Sequence, residues 1–220
     1  STTSSSVPVD VVGLTSGVAS ITGGGSHTCA VTTSGGAKCW GRDHYGQLGN
    51  GITYTQYSGP VDVVGLTSGV ASLTGGNSHT CAVTTSGGAK CWGYNSEGAL
   101  GNNSAVHSNV PVDVYGLTSG VVSLQAGGAI GGTCAVTTAG GAKCWGYNSS
   151  GQLGNNSTTN SSVPVDVVGL TSGVASLTVG GAHACAVTTS GGAKCWGSNS
   201  SRQLGNNSTT SSKVPVDVSP

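Results

Sequence analysis

The sequence contains no phenylalanine, no methionine and very few charged residues. Charged side chains make up 6% of the 220 residues, and seven basic and seven acidic residues cancel to a formal net charge of zero. A chain without excess positive charge lacks the electrostatic attraction that draws basic proteins to nucleic acids and anionic membranes. We therefore expect no nucleic-acid partner.

Long apolar segments are missing as well. No apolar run approaches the roughly 20 residues that span a bilayer, and no charged-then-apolar leader opens the chain. We expect no membrane insertion and a signal peptide that has already been removed. The opening Ser-Thr-Thr-Ser-Ser-Ser copies a segment found inside later repeats, so we also expect repeat sequence upstream.

What the chain does have is glycine, cysteine and an internal repeat. Near-copies of Thr-Cys-Ala-Val-Thr-Thr recur at spacings of 52, 53 and 51 residues, centred on Cys29, Cys81, Cys134 and Cys185. A fixed period of this length indicates stacked repeat units. The predicted units of one domain, 1–220, are 7–58, 59–109, 110–162 and 163–213, followed by an extra strand at 214–218.

Each unit contains four short β-branched segments separated by glycine or proline, which predicts strands and disfavours helices. A Ser-Gly-Gly turn joins the two middle segments into a hairpin, which places Cys29 opposite Cys39 and Val31 opposite Ala37. Opposed strand residues are close enough for a disulfide. The predicted disulfides are Cys29–Cys39, Cys81–Cys91, Cys134–Cys144 and Cys185–Cys195. Structural zinc sites use closer ligand spacing, so we favour disulfides and an oxidising, extracellular location.

A four-stranded unit cannot bury both faces of its sheet alone, so neighbouring units must stack. The motifs Gly-Gly-x-Ser-His-Thr-Cys-Ala-Val and Lys-Cys-Trp-Gly-Tyr-Asn-x-x-Gly-x-Leu-Gly resemble the repeat of the regulator of chromosome condensation family. The resemblance implies an all-β fold, a β-propeller-like array of four four-stranded blades of about 52 residues. Family members typically have seven blades, and the paired cysteines are similar to those of secreted bacterial members.

The motif Pro-Val-Asp-Val occurs five times, whereas the rest of the unit occurs four times. A surplus strand exposes an edge that another chain can pair with. We therefore expect the array to be part of a larger propeller or to be completed by copies of itself, as a ring or a filament.

The sequence offers no recognisable chemistry. His27, His79 and His183 recur at one position in three of the four units, and Gly132 stands there in the third unit. This would put the histidines on different blades, too far apart to share a metal or a catalytic site. The repeated aspartates and tryptophans are likewise predicted to be scaffold. We expect no catalytic residue, no cofactor and no metal, and hence no enzyme.

Residues that differ between units are concentrated in the loop that follows Trp-Gly. Equivalent loops of a propeller emerge on one side, which makes this side the candidate binding face. Its predicted residues are Arg42, Asp43, His44, Tyr45, Tyr94, Glu97, Tyr147 and Arg202. Arg202 replaces a glycine of the other units, where a positive φ is expected.

Three functions are compatible with these features. The first is a structural or adhesive protein outside the cell or on its surface that assembles with itself into a fibre or layer. The second is a secreted protein-binding propeller, similar to inhibitor propellers, and the third a carbohydrate-binding propeller using the repeated Trp and Asn. Glycosylation is predicted at the Asn-x-Ser/Thr sites Asn102, Asn148, Asn155, Asn156, Asn160, Asn199, Asn206 and Asn207.

Overall fold

In a computed structural model, residues 3–128 and 132–219 are described, and they form four antiparallel sheets of four strands each. Blade 1 contains β1 Val18–Gly23, β2 His27–Thr32, β3 Ala37–Asp43 and β4 Thr55–Asp62. Blade 2 contains β5 Val70–Gly75, β6 His79–Thr84, β7 Ala89–Gly93 and β8 Ser108–Asp113. Blade 3 contains β9 Val121–Ala126, β10 Gly132–Thr137, β11 Ala142–Gly146 and β12 Ser161–Asp166. Blade 4 contains β13 Val174–Val179, β14 His183–Thr188, β15 Ala193–Gly197 and β16 Ser212–Asp217.

The central hairpin of each blade has the register that its turn predicts. In blade 1, Cys29 pairs with Cys39 and Val31 with Ala37, while Gly35 at the turn has φ +79°. The other three blades repeat this pairing. All four predicted disulfides are confirmed: Cys29–Cys39, Cys81–Cys91, Cys134–Cys144 and Cys185–Cys195. The cross-links lie within blades, so they hold each hairpin together and leave the contacts between blades to packing.

The blades are offset from the sequence repeats by one strand. Pro-Val-Asp ends the fourth strand of each blade, so blade 1 runs from Val18 to Asp62. Residues 214–218, taken from sequence as the extra strand, overlap Ser212–Asp217, which pairs with β15 inside blade 4. The surplus copy is instead the N-terminal one, Pro8–Asp10, which lies in none of the described strands. A repeat fixes the period of a fold but not the point at which one sheet ends.

The hydrophobic cores lie between blades. In β2 and β3, Cys29, Val31 and Cys39 point toward blade 2, where they meet Ala82 and Trp92. The same arrangement is repeated at the two later junctions. Each core therefore needs two blades, because the cysteines and valine come from one sheet and the tryptophan and alanine from the next.

Ion pairs account for most of the repeated charges. One Lys of the third strand contacts one Asp of the fourth strand in every blade, at 2.6 Å: Lys38–Asp62, Lys90–Asp113, Lys143–Asp166 and Lys194–Asp217. These pairs are solvent-exposed, and such pairs contribute about 0–1 kcal/mol each. They belong to the scaffold.

The four blades form an open arc. In the described part of the chain, extensive contacts between sheets link blade 1 to 2, 2 to 3 and 3 to 4. The free side of blade 1, which we call the head face, includes Val18, Thr28 and Trp40. The free side of blade 4, the tail face, includes His183, Val187 and Gln203. Val187 is 44% exposed, whereas its counterpart Val83 is 3% exposed.

Candidate functional site

The loops between the third and fourth strands of all blades emerge on the same side of the arc, because every blade has the same strand order. In blades 2 to 4 these loops are built around a buried asparagine. The Asn95 side-chain oxygen accepts a hydrogen bond from the Leu100 amide at 2.8 Å, and its Nδ2 lies 3.0 Å from the Val106 carbonyl. Asn148 and Asn199 repeat these contacts. The asparagine thus holds both ends of its loop.

Blade 1 has Asp43 at this position, and its loop takes a different course. The carboxylate accepts from the Leu48 amide at 3.0 Å, as the asparagine does, but it cannot donate to loop carbonyls. The chain instead extends the hairpin: the Tyr54 amide donates to the Asp43 carbonyl, and β3 and β4 are longer than their counterparts. Tyr54, at φ +60°, then projects into solvent with 77% exposure.

Asp43 is itself buried, with 0% exposure, so it cannot contact a partner as predicted from sequence. Burial raises the pKa of this carboxyl above its usual value, and the Leu48 hydrogen bond opposes the shift. The Thr55 hydroxyl also opposes the shift through a side-chain hydrogen bond to Asp43. Asp43 therefore shapes the loop of blade 1 from beneath.

Five aromatic rings meet on the loop side of blades 1 and 2. His44 lies 4.8 Å from Tyr45 and 4.9 Å from Tyr54, measured between ring centroids. Tyr45 in turn lies 5.1 Å from both Tyr94 and His107, which are 5.0 Å apart. Most pairs meet edge to face, the geometry that aromatic quadrupoles favour. We call this group of rings the aromatic cluster.

Arg42 lies next to the aromatic cluster. It lines an open cavity of 480 Å³ with Ser26, His44, Tyr54 and residues 55–56. Arg42 is exposed, while His44 and Tyr45 are half-buried between the loops. The aromatic cluster and Arg42 together present packed rings, one cation and one projecting tyrosine, residue types that are enriched in protein-binding hot spots.

His107 and Tyr54 were not among the residues predicted for the binding face. His107 occupies the position of Asn160 and Ser211, and all three accept a hydrogen bond from the amide of the loop asparagine. Its Nδ1 accepts from the Asn95 amide at 2.9 Å, and partial burial lowers the pKa of the ring. Departure from the repeat at this position was the available signal.

The remaining predicted residues lie apart from the aromatic cluster. Glu97 accepts a hydrogen bond from the side chain of Asn160 on blade 3. The Tyr147 hydroxyl accepts from Ser149 at 2.6 Å. Arg202 lies on blade 4 with φ +62°, so the expected positive φ is present. The eight predicted residues thus divide into a compact group on blades 1 and 2 and three separate positions.

Two other predictions are corrected by burial. Trp92, Trp145 and Trp196 are fully buried between blades, so they cannot stack on a carbohydrate. Asn148 and Asn199 are also fully buried, which excludes them as glycosylation sites in the folded chain. Glycosylation at exposed sites such as Asn156 and Asn207 stays a prediction.

The repeated histidines are structural where a further blade follows. His27 and His79 each bond through Nε2 to a threonine hydroxyl of the next blade, Thr80 at 2.8 Å and Thr133 at 3.0 Å. Burial lowers the pKa of both histidines to about 4. Within residues 3–128 and 132–219, no three His, Cys, Asp or Glu residues are grouped to hold a metal ion. The same residues include no helix long and apolar enough to cross a membrane.

Comparisons with known proteins agree with this architecture. The family model "Regulator of chromosome condensation (RCC1) repeat" matches residues 18–47, 70–99 and 174–203, and a second model of the same description matches 35–83 and 143–187. The E3 ubiquitin-protein ligase HERC2 of Homo sapiens is 33% identical over 199 residues, which are 89% of this chain and 4% of that protein. The mitochondrial RCC1 domain-containing protein RUG3 of Arabidopsis thaliana is 31% identical over 204 residues, covering 89% of this chain and 45% of RUG3.

Solved structures show the same fold. Yeast RCC1 (Prp20), in a structure with Kap60, superposes with a TM-score of 0.81 at 18% identity, covering 92% of this chain and 49% of that one. Human WBSCR16 superposes with a TM-score of 0.77 at 26% identity, covering 92% and 53%. The chain thus spans about half the length of these two propellers. It spans 45% of RUG3 and 4% of HERC2. Since the family models together match more than half of the chain, it belongs to the regulator of chromosome condensation (RCC1) repeat family.

Proposed function

We propose that this chain is a non-catalytic protein-binding propeller module that recognises another protein through the aromatic cluster and Arg42. The observation that carries the proposal is the packing of His44, Tyr45, Tyr54, Tyr94 and His107 into one patch. Tyrosines that are already ordered lose little conformational entropy when a partner binds.

The comparisons support protein binding as the general role. One yeast RCC1 structure is a complex with Kap60, and another is described with binding to Gsp1p and histones. Neither partner transfers to this chain, because identity to these proteins is 18–20% and the cluster is set by residues that differ even among its own blades. We propose that the partner is a protein of the same oxidising compartment, outside the cell or at its surface, since four disulfides persist there.

The surface of the partner should suit tyrosine, histidine and one arginine. The patch has a single exposed cation and little other charge, so long-range attraction contributes little and the contact depends on shape. We expect an apolar centre with a carboxylate or carbonyl group placed near Arg42.

The test compares two exposed tyrosines. A photo-crosslinker placed at residue 54 should capture partner proteins from the native extracellular fluid, and Tyr94→Ala should reduce that capture at least tenfold. Tyr115, which is 64% exposed between blades 2 and 3 and outside the cluster, is the matched control position. Equal protein sets captured from positions 54 and 115 would refute the proposal.

A structural or adhesive role with self-assembly is the second candidate. The features in its favour are the near-identical repeats, the low content of charged residues and one disulfide in every repeat. Carbohydrate binding through one tryptophan per blade is not possible, because Trp92, Trp145 and Trp196 are fully buried. Binding of the intact chain to a glycan array would indicate a carbohydrate ligand instead of a protein partner.

A further inference from the structure

The ring of His107 is attached to two blades at once. Within blade 2, its Nδ1 accepts a hydrogen bond from the Asn95 amide at 2.9 Å. Across the junction, its centroid lies 5.1 Å from that of Tyr45 on blade 1, and Tyr94 of blade 2 lies 5.0 Å from the same ring. Tyr45 and Tyr94 are themselves 5.1 Å apart. The three rings therefore touch one another, and the Asn95 amide fixes the position of one of them.

The acceptor that His107 provides is a different group in blades 3 and 4. Asn160 Oδ1 accepts from the Asn148 amide at 2.8 Å, and Ser211 Oγ accepts from the Asn199 amide at 3.2 Å. A carboxamide and a hydroxyl do not change charge near neutral pH, whereas an imidazole does. Of the three loops built on an asparagine, that of blade 2 is therefore the one whose acceptor a proton can remove.

The contact of His107 with the preceding blade also recurs at the next junction. Glu97 of blade 2 corresponds to Tyr45 of blade 1, and it accepts a hydrogen bond from Asn160, the counterpart of His107. The residue at this position thus closes its own loop and reaches the loop of the blade before it. If His107 loses its attachment to its own loop, its contact with blade 1 is affected as well.

The hydrogen bond from Asn95 requires a neutral imidazole. While Nδ1 accepts, the single ring proton lies on Nε2. In the imidazolium form both nitrogens donate, so no rotation of the ring offers the Asn95 amide an acceptor. Asn95 is fully buried, and a buried donor without an acceptor is costly. His107 itself is exposed, so a proton reaches the ring without unfolding of the chain. Protonation therefore favours an open loop.

No neighbouring charge compensates for a proton on His107. The groups that face its ring are the phenols of Tyr45, from the loop of blade 1, and Tyr94, which directly follows β7. The Glu97 carboxylate of the same loop bonds to blade 3 instead. Among the residues that the structure describes, His107 belongs to none of the ion pairs. His44, the other histidine of the aromatic cluster, packs against Tyr45.

We infer that His107 is a positioning residue that holds the aromatic cluster together only while its ring is neutral. When the ring gains a proton, the Asn95 amide loses its acceptor, the loop that ends at His107 opens, and the ring leaves Tyr45 and Tyr94. The inference deepens the function proposed above and rests on it for the consequence that a protein partner bound at neutral pH is released in acid.

The direction of the pH effect follows from the surroundings of the ring. Partial burial lowers the pKa of His107, so the closed loop binds protons less readily than the open loop does. The contact is complete above the ordinary histidine pKa of about 6.5 and is lost as the pH falls through the lowered pKa. The pKa values of His27 and His79 are about 4, so these two buried residues stay mostly neutral at pH 5.5.

An NMR titration of the full 220-residue chain from pH 7.5 to 5 tests the switch without a partner. The ring resonances of Tyr45 and Tyr94 should shift with the same midpoint as the His107 Hε1 proton. Protection of the Asn95 amide from solvent exchange, corrected for its intrinsic pH dependence, should fall by about threefold or more. The ring resonances of Tyr115, outside the aromatic cluster, should not move. Tyrosine rings and an amide that ignore the titration of His107 would overturn the inference.

His107→Asn is the matched variant, because the chain itself uses Asn160 at this place in blade 3. The amide oxygen should keep the Asn95 hydrogen bond at every pH, so the loss of protection in acid should disappear. His44→Gln removes the other histidine of the aromatic cluster and should retain the titration of the parent chain. A response that persists in His107→Asn, or that is absent from His44→Gln, would contradict the assignment to His107.

Capture through the photo-crosslinker at residue 54 tests the consequence for binding. In the parent chain, the captured partner should decrease by about threefold or more from pH 7.5 to 5.5, whereas His107→Asn should capture equal amounts at both pH values. Equal capture by the parent chain at both pH values would refute the release in acid. No capture by either chain at either pH would refute the proposed function, and the NMR titration alone would then decide the inference about His107.

Discussion

The interior junctions and the two end faces contain the same residue types in different surroundings. Trp92 is fully buried between two sheets, while Trp40 in the same strand position is half-buried against an irregular segment. Val83 and Val187 differ in the same way, at 3% and 44% exposure. The difference shows that a side chain of this fold is stabilised mainly by the blade beside it, since its own sheet is the same in both places.

The largest expected effect tests this comparison directly. Trp92→Ala should lower the free energy of unfolding by about 3–5 kcal/mol, because it leaves a cavity between two blades and removes the bond to the Gln47 carbonyl. Trp40→Ala should cost less than about 1 kcal/mol when the chain is monomeric. Urea unfolding of both variants measures the difference, and equal losses would contradict this account of the core.

The buried histidines make stability depend on pH. Burial lowers the pKa of His27 and His79 from 6.5 to about 4, so the unfolded chain binds more protons between these values. Their contribution is intact above about pH 6.5 and is lost as pH falls toward 4, by up to about 1.4 kcal/mol per pH unit for each histidine.

Exchanging both histidines for a side chain that does not titrate isolates this effect. In His27→Gln/His79→Gln the amide can still donate to Thr80 and Thr133, while the proton-linked loss disappears. The slope of Tm between pH 6.5 and 4 should therefore flatten. An unchanged slope in the double variant would assign the acid sensitivity to other groups.

The next effect concerns the loop of blade 1. Asp43→Asn removes a buried carboxyl whose pKa is raised by burial, which means that its charged form destabilises the fold at neutral pH. We expect the variant to be more stable at pH 7 by the order of 1 kcal/mol, with the gain vanishing in acid as Asp43 becomes protonated. Thermal unfolding at several pH values checks this. A variant less stable than the parent at pH 7 would show that the carboxylate supports the extended hairpin.

The smallest effect is expected at Arg202. Its φ of +62° is unfavourable for a side chain with a Cβ atom, so Arg202→Gly should stabilise the monomer by about 1 kcal/mol. Gly98 has a similar φ of +80°, but a Cβ atom there would lie 2.6 Å from the Ser162 Cα atom, so Gly98→Ala should be clearly destabilising. Thermal unfolding compares the pair, and a loss of stability in Arg202→Gly would reveal a structural contact of the arginine.

Local sequence was sufficient for the hairpins. Ser34, Gly35 and Gly36 form a short turn, and a short turn leaves one register, from which the pairing of Cys29 with Cys39 follows. The first and last residues of each blade were harder to predict from the sequence. Pro8–Asp10 and Pro60–Asp62 have the same sequence, but only Pro60–Asp62 pairs with a strand, β3. Whether a copy of the motif forms a strand depends on a neighbouring strand in the fold, and the motif alone does not reveal it.

The aromatic cluster was predicted from the sequence only in part. That this face binds a partner stays a prediction. Arg42, His44, Tyr45 and Tyr94 lie on the loop side, whereas Asp43 is buried and His107 was not among the predicted residues. His107 is 62 residues from Tyr45 in the chain, and the two rings meet because blades 1 and 2 lie side by side. No spacing rule within one repeat could reveal that contact.

The sequence by itself determined the repeat, the strands, the turns and the disulfides, since each depends on φ preference, alternation and partners within a few residues. Only the tertiary structure decided which side chains are buried between blades, where the sheets begin and which rings form the aromatic cluster. These features arise between residues about 50 or more positions apart, where the free energy comes from excluding water between whole sheets.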